Sequence, residues 1–201
     1  MRIALFGASG MVGSRVAKEA TDRGLEVTAI TRSGTEVPGA SRTIQGDMGD
    51  AAFAAAVVTD HDIIVSTTGP SRTGGDHGEW LDAVRTIAAA SGDKRIFVVG
   101  GAGSLLVDGV MLKDSLDFPE MYRAEAETGA RALEILRSGD YSPWTLISPA
   151  PVIAPGERTG TFTLGLDSPV GDTISAEDFA IAMVDEIENP RHVDARFTVA
   201  N

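Results

Sequence analysis

The chain has no cysteine among its 201 residues, which excludes disulfides, thiol nucleophiles and thiolate metal sites. It has three histidines, His61, His77 and His192. They lie far apart without ligand spacing, so neither a structural nor a catalytic metal is expected. No apolar run approaches the roughly eighteen residues of a membrane-spanning helix. Met1 leads straight into a strand-like segment, and a cytoplasmic protein is the expectation. Positive charge is also short: 17 Lys and Arg face 29 Asp and Glu, a formal net charge of -12. No basic cluster offsets this, so neither a nucleic acid nor a membrane is an expected partner. The same imbalance means that an anionic cofactor must be held by local donors, which gives individual arginines weight. The rest of the composition, rich in Gly and Ala and poor in aromatics, is that of an ordinary globule. The length suits one domain over residues 1–201, able to bury about 70% of its unfolded surface. A monomer or homodimer acting on a small molecule is expected.

What is present begins at residues 3–13, IALFGASGMVG. An apolar run ends in Gly7, Gly10 and Gly13, and the pattern then turns amphipathic, with Val12, Val16, Ala17 and Ala20 on one side. This reads as strand, tight turn and helix. The glycines permit a sharp turn and close approach of a phosphate, and the helix start offers unpaired N–H groups to an anion. Gly7, Ser9, Gly10, Met11 and Val12 are therefore candidate cofactor contacts. The competing reading is a glycine-rich connection that binds nothing.

Further strands are expected over 25–30, 41–45, 61–66, 95–100, 144–148 and 195–200. Helices should follow the first at AAFAAAVV with Asp50 as cap, at the segment carrying Leu81, Val84 and Ile87, at 122–137, and after the capping signal Ser175–Asp178. Residues 105–121 read as an irregular, substrate-side excursion. Such alternation means a doubly wound α/β architecture, a parallel sheet covered on both faces, with small C-terminal substrate-side elements.

Ligands of open α/β sheets sit outside the carboxyl ends of the strands, where strand order reverses. That marks five loops: 7–13, 31–34, 46–49, 67–70 and 100–104. An NAD site places an acid after the second strand. Here the residues are Thr31, Arg32 and Ser33, and Glu36 lies too far on. A guanidinium and a hydroxyl suit the 2′-phosphate of NADP, the alternative being a solvated arginine. Asp47 and Met48 stand where an adenine would lie, although Asp47 could simply cap its turn. Thr67, Thr68 and Gly69 would pass the sugar and phosphates, or form an ordinary turn. Ser104, following the fifth strand, is read as a catalytic candidate that hydrogen-bonds a carbonyl, or as the start of a helical turn. Arg158 invites an anion, but pairing with Glu157 or with an acid of the last helix is preferred. His77 and Trp80 border the cleft-side loop, and Trp80 reads as core before it reads as a stacking platform.

GASGMVG, Arg32, GGAGSL after the fifth strand, SPAPVIAPGERTG and ISAEDFA together resemble the atypical short-chain dehydrogenase/reductase group. Within it they resemble the small bacterial proteins called NADH-flavin reductases, relatives of biliverdin/flavin reductases and NmrA-like proteins. The likeness spans essentially the whole chain. It implies a Rossmann-like fold, a bound NAD(P), hydride transfer to a flavin (FMN or FAD as substrate) or similar flat acceptor, and Pro149 and Ala150 as an apolar edge against the nicotinamide. Two departures matter. The Tyr-x-x-x-Lys pair of typical short-chain dehydrogenases is missing, since Tyr122 is followed four residues on by Ala126 and Tyr141 by Thr145. The histidine that related biliverdin/flavin reductases carry after the sixth strand has no counterpart in Ala150 to Ile153. These leave an NADPH-dependent reductase of a planar acceptor as the leading reading. A redox sensor that binds NAD(P) without turnover, and a quinone or carbonyl reductase, are the alternatives.

Overall fold

The computed structural model describes residues 1–141 and 143–201. In chain order the elements are β1 (Arg2–Phe6), α1 (Met11–Asp22), β2 (Glu26–Thr31), β3 (Arg42–Gln45), α2 (Ala51–Asp60), β4 (Ile63–Ser66), α3 (His77–Ser91), β5 (Arg95–Val99), β6 (Leu106–Val107) and β7 (Val110–Met111). They continue with α4 (Glu120–Ser138), β8 (Trp144–Pro149), β9 (Val152–Ala154), β10 (Thr163–Gly165), β11 (Thr173–Ser175), α5 (Ala176–Glu188) and β12 (Ala195–Ala200). The main sheet runs β10-β12-β8-β5-β4-β1-β2-β3, parallel throughout except for β10 at one edge. Strand order reverses between β1 and β4, which places a crevice above the carboxyl ends of those two strands.

The strands β1, β4 and β5 are continuous apolar runs because both faces are covered. Ile3 and Leu5 pack with Val16, Ala17 and Ala20 of α1 and with Phe179 and Met183 of α5. Ala4 and Phe6 point the other way, into the layer of α2, α3 and α4 that contains Val57, Trp80, Val84 and Leu136. Local signals start the helices. Asp50 Oδ1 accepts the Ala52 and Phe53 N–H groups, at 2.9 and 3.1 Å, and Ser175 Oγ accepts that of Asp178 at 3.0 Å.

The segment 105–121 is more regular than its composition suggests. It contains the hairpin of β6 and β7, turned by Asp108 and Gly109 at φ of 51° and 80°. An Asp-Gly pair suits a two-residue turn that needs both residues left-handed, so this hairpin was readable. Pro119 is the N-cap of α4, which begins at Glu120, two positions earlier than the periodicity indicates. No ion pair joins Glu127 to Arg131 among the described residues. No helix among them is long and apolar enough to cross a membrane.

Candidate functional site

The β1–α1 turn is built around close approach. Gly7 adopts φ of 75°, and its carbonyl accepts the Gly10 N–H at 2.9 Å. Gly13 is small because a Cβ there would stand 2.3 Å from the Gly7 carbonyl oxygen and 2.6 Å from Thr67 Oγ1. The helix therefore starts tight against the end of β4. Gly10 caps α1 without any side chain, and no acid stands in the first turn. The N–H groups of the first turn are thus left for an anion, with the positive end of the helix dipole behind them. Ser9, Gly10 and Met11 are exposed and Val12 is half-buried.

The glycines of the other marked loops divide into two kinds. A Cβ on Gly46 would lie 2.0 Å from the Phe53 ring, and one on Gly100 would lie 2.6 Å from Leu146 Cδ2. Those positions are small for internal packing. Nothing lies within 4 Å of a Cβ on Gly69 or Gly101, so these two open onto free space at the ends of β4 and β5. Small residues at strand ends are thus a mixed signal, and two of these four loop glycines serve the fold.

Arg32 and Ser33 follow β2 and are exposed. Among the described residues Arg32 makes no ion pair, while its carbonyl accepts from Gln45 Nε2 at 2.9 Å. Ser33 Oγ shares its hydrogen bond with Thr35 Oγ1 at 2.7 Å. Asp47 Oδ1 accepts the Gly49 N–H at 2.8 Å, so Asp47 does cap its own turn while remaining exposed. Met48 is turned inward, 4% exposed, among Phe6, Ile30 and Trp80. It supports its loop from beneath and offers no open face to an adenine. Thr67 Oγ1 donates to the Phe6 carbonyl at 2.9 Å, and Thr68 Oγ1 accepts from Trp80 Nε1 at 3.0 Å. Trp80 is accordingly core. Pro149 ends β8, and Ala150, buried, donates its N–H to Val199 at 3.1 Å. Together they form a closed apolar floor.

Ser104 closes a short helical turn after β5 and is buried. Its Oγ accepts from Arg196 Nη1 at 3.0 Å. Arg196, itself buried, also binds Asp167 through Nε at 2.9 Å and through Nη2. Burial lowers the Arg196 pKa from its ordinary value against the pull of Asp167. One lone pair of the Ser104 oxygen is thus committed to the frame.

The loop 155–161 is strapped over α1 and α5. Arg158 pairs with Glu19 of α1 at 2.9 Å, not with Glu157 or the last helix. The Arg158 hydrogen bond, aided by that of Arg23 and opposed by burial, leaves the Glu19 carboxyl below its usual range. Asp178 is wholly buried and accepts from the N–H groups of Thr159 and Gly160, from Thr159 Oγ1 and from Asn201 Nδ2. Burial pushes its pKa up, but those hydrogen bonds outweigh it and hold the group ionised below the ordinary carboxylate range.

A side-chain-free helix start at a strand-order reversal, walled by Gly7, Gly13 and Thr67, fits a dinucleotide pyrophosphate. The family model for NAD(P)H-binding proteins matches residues 7–190. The chain belongs to the NAD(P)H-binding family. Bacillus subtilis (strain 168) YwnB, whose name carries no activity, is 37% identical over all of this chain and 99% of its own. A Burkholderia pseudomallei structure named "putative exported protein" is 38% identical, with full coverage of both chains and a TM-score of 0.89. SP1627 from Streptococcus pneumoniae TIGR4, "a putative NADH-flavin reductase", is 30% identical over all of this chain and 99% of its own, with a TM-score of 0.90. This NAD(P)H-binding chain therefore has the Rossmann-like fold.

Proposed function

We propose that this protein is an NADPH-dependent reductase that passes hydride to a small planar acceptor, with a flavin (FMN or FAD) as the first candidate. The observation that carries the reading is the packing of Ala126. A Cβ on Gly103 would stand 2.5 Å from the Ala126 Cβ, so α4 lies against the loop after β5 at the position where a Tyr-x-x-x-Lys pair would need its lysine. A site without that pair suits transfer to an electron-poor ring whose proton comes from solvent, and suits alcohol–ketone chemistry poorly. The name of SP1627 supports the flavin. Supply of reduced nicotinamide to such an enzyme supports a cytoplasmic setting.

In this reading the first turn of α1, from Gly10 to Val12, holds the pyrophosphate, with Gly7 and Ser9 shaping its approach. Arg32 and Ser33 hold the 2′-phosphate, and Asp47 stands at the adenine edge. Thr67, Thr68 and Gly69 line the sugar, and Pro149 and Ala150 back the nicotinamide. The nicotinamide supplies the hydride. The chain supplies orientation and exclusion of water, and Ser104, one lone pair of which is held by Arg196, supplies a hydroxyl hydrogen.

The free guanidinium of Arg32 supports the phosphorylated cofactor. Arg32→Ala should weaken NADPH about tenfold or more, the scale of charge-assisted bonds, and leave NADH nearly unchanged. Titration of both cofactors against the variant decides this, and equal loss for both would remove Arg32 from the site. Stopped-flow mixing of protein, NADPH and FMN tests turnover through loss of nicotinamide absorbance. Tight NADPH binding with no oxidation across several flavins and quinones would instead support the sensor reading.

A further inference from the structure

α4 packs over the loop after β5 at Gly101 and Gly103, and Tyr122 in its first turn is half exposed. On one flank, Arg72 donates to Glu125 Oε1 from Nε and Nη2 at 3.0 and 2.7 Å, while His77 Nδ1 lies 2.8 Å from Thr128 Oγ1. These contacts tie the loop before α3 to α4. On the other flank, Ala126 touches Gly103, and a Cβ on Gly129 would stand 3.8 Å from the Gly101 nitrogen. The helix is therefore held between two loops that follow neighbouring strands, β4 and β5.

Helical geometry says what lies between the flanks. At about 100° per residue, Glu125 is about 60° to one side of Tyr122, Ala126 about 40° to the other, and Gly129 almost directly beneath it. Seven residues of rise put Tyr122 about 10 Å further out than Gly129. Tyr122 thus lies on the line running up the helix from Gly101, between the two flanking loops. It is 52% exposed, so its ring has an uncovered surface. The floor of the same space opens at Gly101, where no atom lies within 4 Å of a Cβ. Beside that floor, Ser104 has one lone pair of its oxygen already held by Arg196.

We infer that Tyr122 is the stacking surface for the planar acceptor, acting through its ring and not as a proton donor. This deepens the reductase reading and rests on it. Ala126 leaves no cation four residues on to assist the phenol, whereas an aromatic ring above an open floor provides what a flat heteroaromatic needs: apolar contact on one face with freedom at its edge. The same helix gives an internal control. Met121, 80% exposed, is one residue away and points about 100° off this line.

The test uses the full chain with FMN. With saturating NADPH, Tyr122→Ala should raise the KM for FMN about tenfold, the scale of one lost stacking partner, with kcat changed less than about twofold. NADPH affinity, titrated separately, should be unaltered, which also reports that the variant is folded. Tyr122→Phe should recover most of the lost FMN binding, and Met121→Ala should leave the KM for FMN where it is. In parallel, FMN fluorescence is followed on titration of NADP-loaded protein, where quenching by electron transfer from the Tyr122 ring should be present in wild type and reduced in Tyr122→Ala. An unchanged KM and unchanged quenching in Tyr122→Ala would overturn the proposal, as would a collapse of kcat in Tyr122→Phe. If wild type oxidises no NADPH with FMN, the reductase reading fails by itself. The quenching titration then still decides the stacking role, since absence of FMN binding to wild type would overturn it.

Discussion

Gly13→Ala is expected to lose NADPH binding almost entirely while the protein still folds at reduced stability. The added Cβ would meet the Gly7 carbonyl oxygen at 2.3 Å, Thr67 Oγ1 at 2.6 Å and Ala8 Cα at 2.8 Å. Two of these are backbone atoms of the phosphate-binding turn, so no side-chain rotation relieves the clash. α1 must move away from β1 and β4. Overpacking of this kind costs about 1–3 kcal/mol of stability. The functional cost is larger, because displacement carries the N-terminal amides away from the turn they form with Gly7, and a misplacement near 1 Å is worth about 100-fold in a positioned site. Denaturant unfolding and cofactor titration on one preparation separate the two effects. Wild-type affinity in Gly13→Ala would show that the pyrophosphate does not dock at this turn.

The second large effect lies at the opposite end of the molecule and concerns stability alone. Glu186, on the inner side of α5, is buried and receives Arg95 Nη2 at 2.6 Å, the N–H groups of Arg191 and His192 at 2.8 Å each, and His192 Nδ1 at 2.8 Å. Arg95 is also buried and lies over the Phe97 ring at 4.6 Å. Burial raises the Glu186 pKa, yet the hydrogen bonds outweigh it and leave the carboxyl below its ordinary value. A depressed folded-state pKa contributes stability that is present above the unfolded value and lost as pH falls through the folded one. Acid should therefore weaken the packing of α5 beginning just below the usual carboxylate range. Glu186→Gln removes the charge and leaves the buried Arg95 guanidinium with neutral partners alone, Thr145 Oγ1 and the carbonyls of residues 186 and 192. It should cost about 3–5 kcal/mol near neutral pH, the scale for breaking one side of a buried pair, and flatten the acid limb of the stability profile. Urea unfolding across pH reads both, and a variant within about 0.5 kcal/mol of wild type, the usual range for a surface substitution, would show that the pair carries little.

What could be read from the chain was what neighbouring residues decide among themselves. The turn of Gly7, Gly10 and Gly13, the Asp50 cap and the Ser175–Asp178 signal depend on contacts a few residues apart, and the folded chain has them where their spacing implies. The alternation of strands and helices carried the parallel sheet for the same reason. Partners distant in sequence were not legible. Its neighbours in sequence point Arg158 to Glu157 or the last helix, yet its carboxylate is Glu19, 139 residues earlier. Met48 sits in a loop whose composition suggests a ligand surface, and only the position of Trp80 shows that the side chain turns inward. Some signals were present but unread. Glu186 falls on the same helical side as Phe179, Met183 and Ile187, where a charge must have a buried partner. Arg196 alternates with the inward-facing Phe197 and Val199, so it had to enter the opposite layer.

The cover over α1 has a consequence for how the protein is made. Val16, Ala17 and Ala20 are sealed by Phe179 and Met183 of α5. The margin of the same helix is pinned by Arg15 to Glu177, by Arg23 to Asp185 and Glu188, and by Glu19 to Arg158. Every one of these partners is translated more than 130 residues after the helix it holds. During synthesis the glycine turn therefore emerges well before the helix that covers it, with an uncovered apolar stripe beside it until α5 leaves the ribosome. The window in which a nascent chain can misassociate is set by the distance from Gly13 to Phe179.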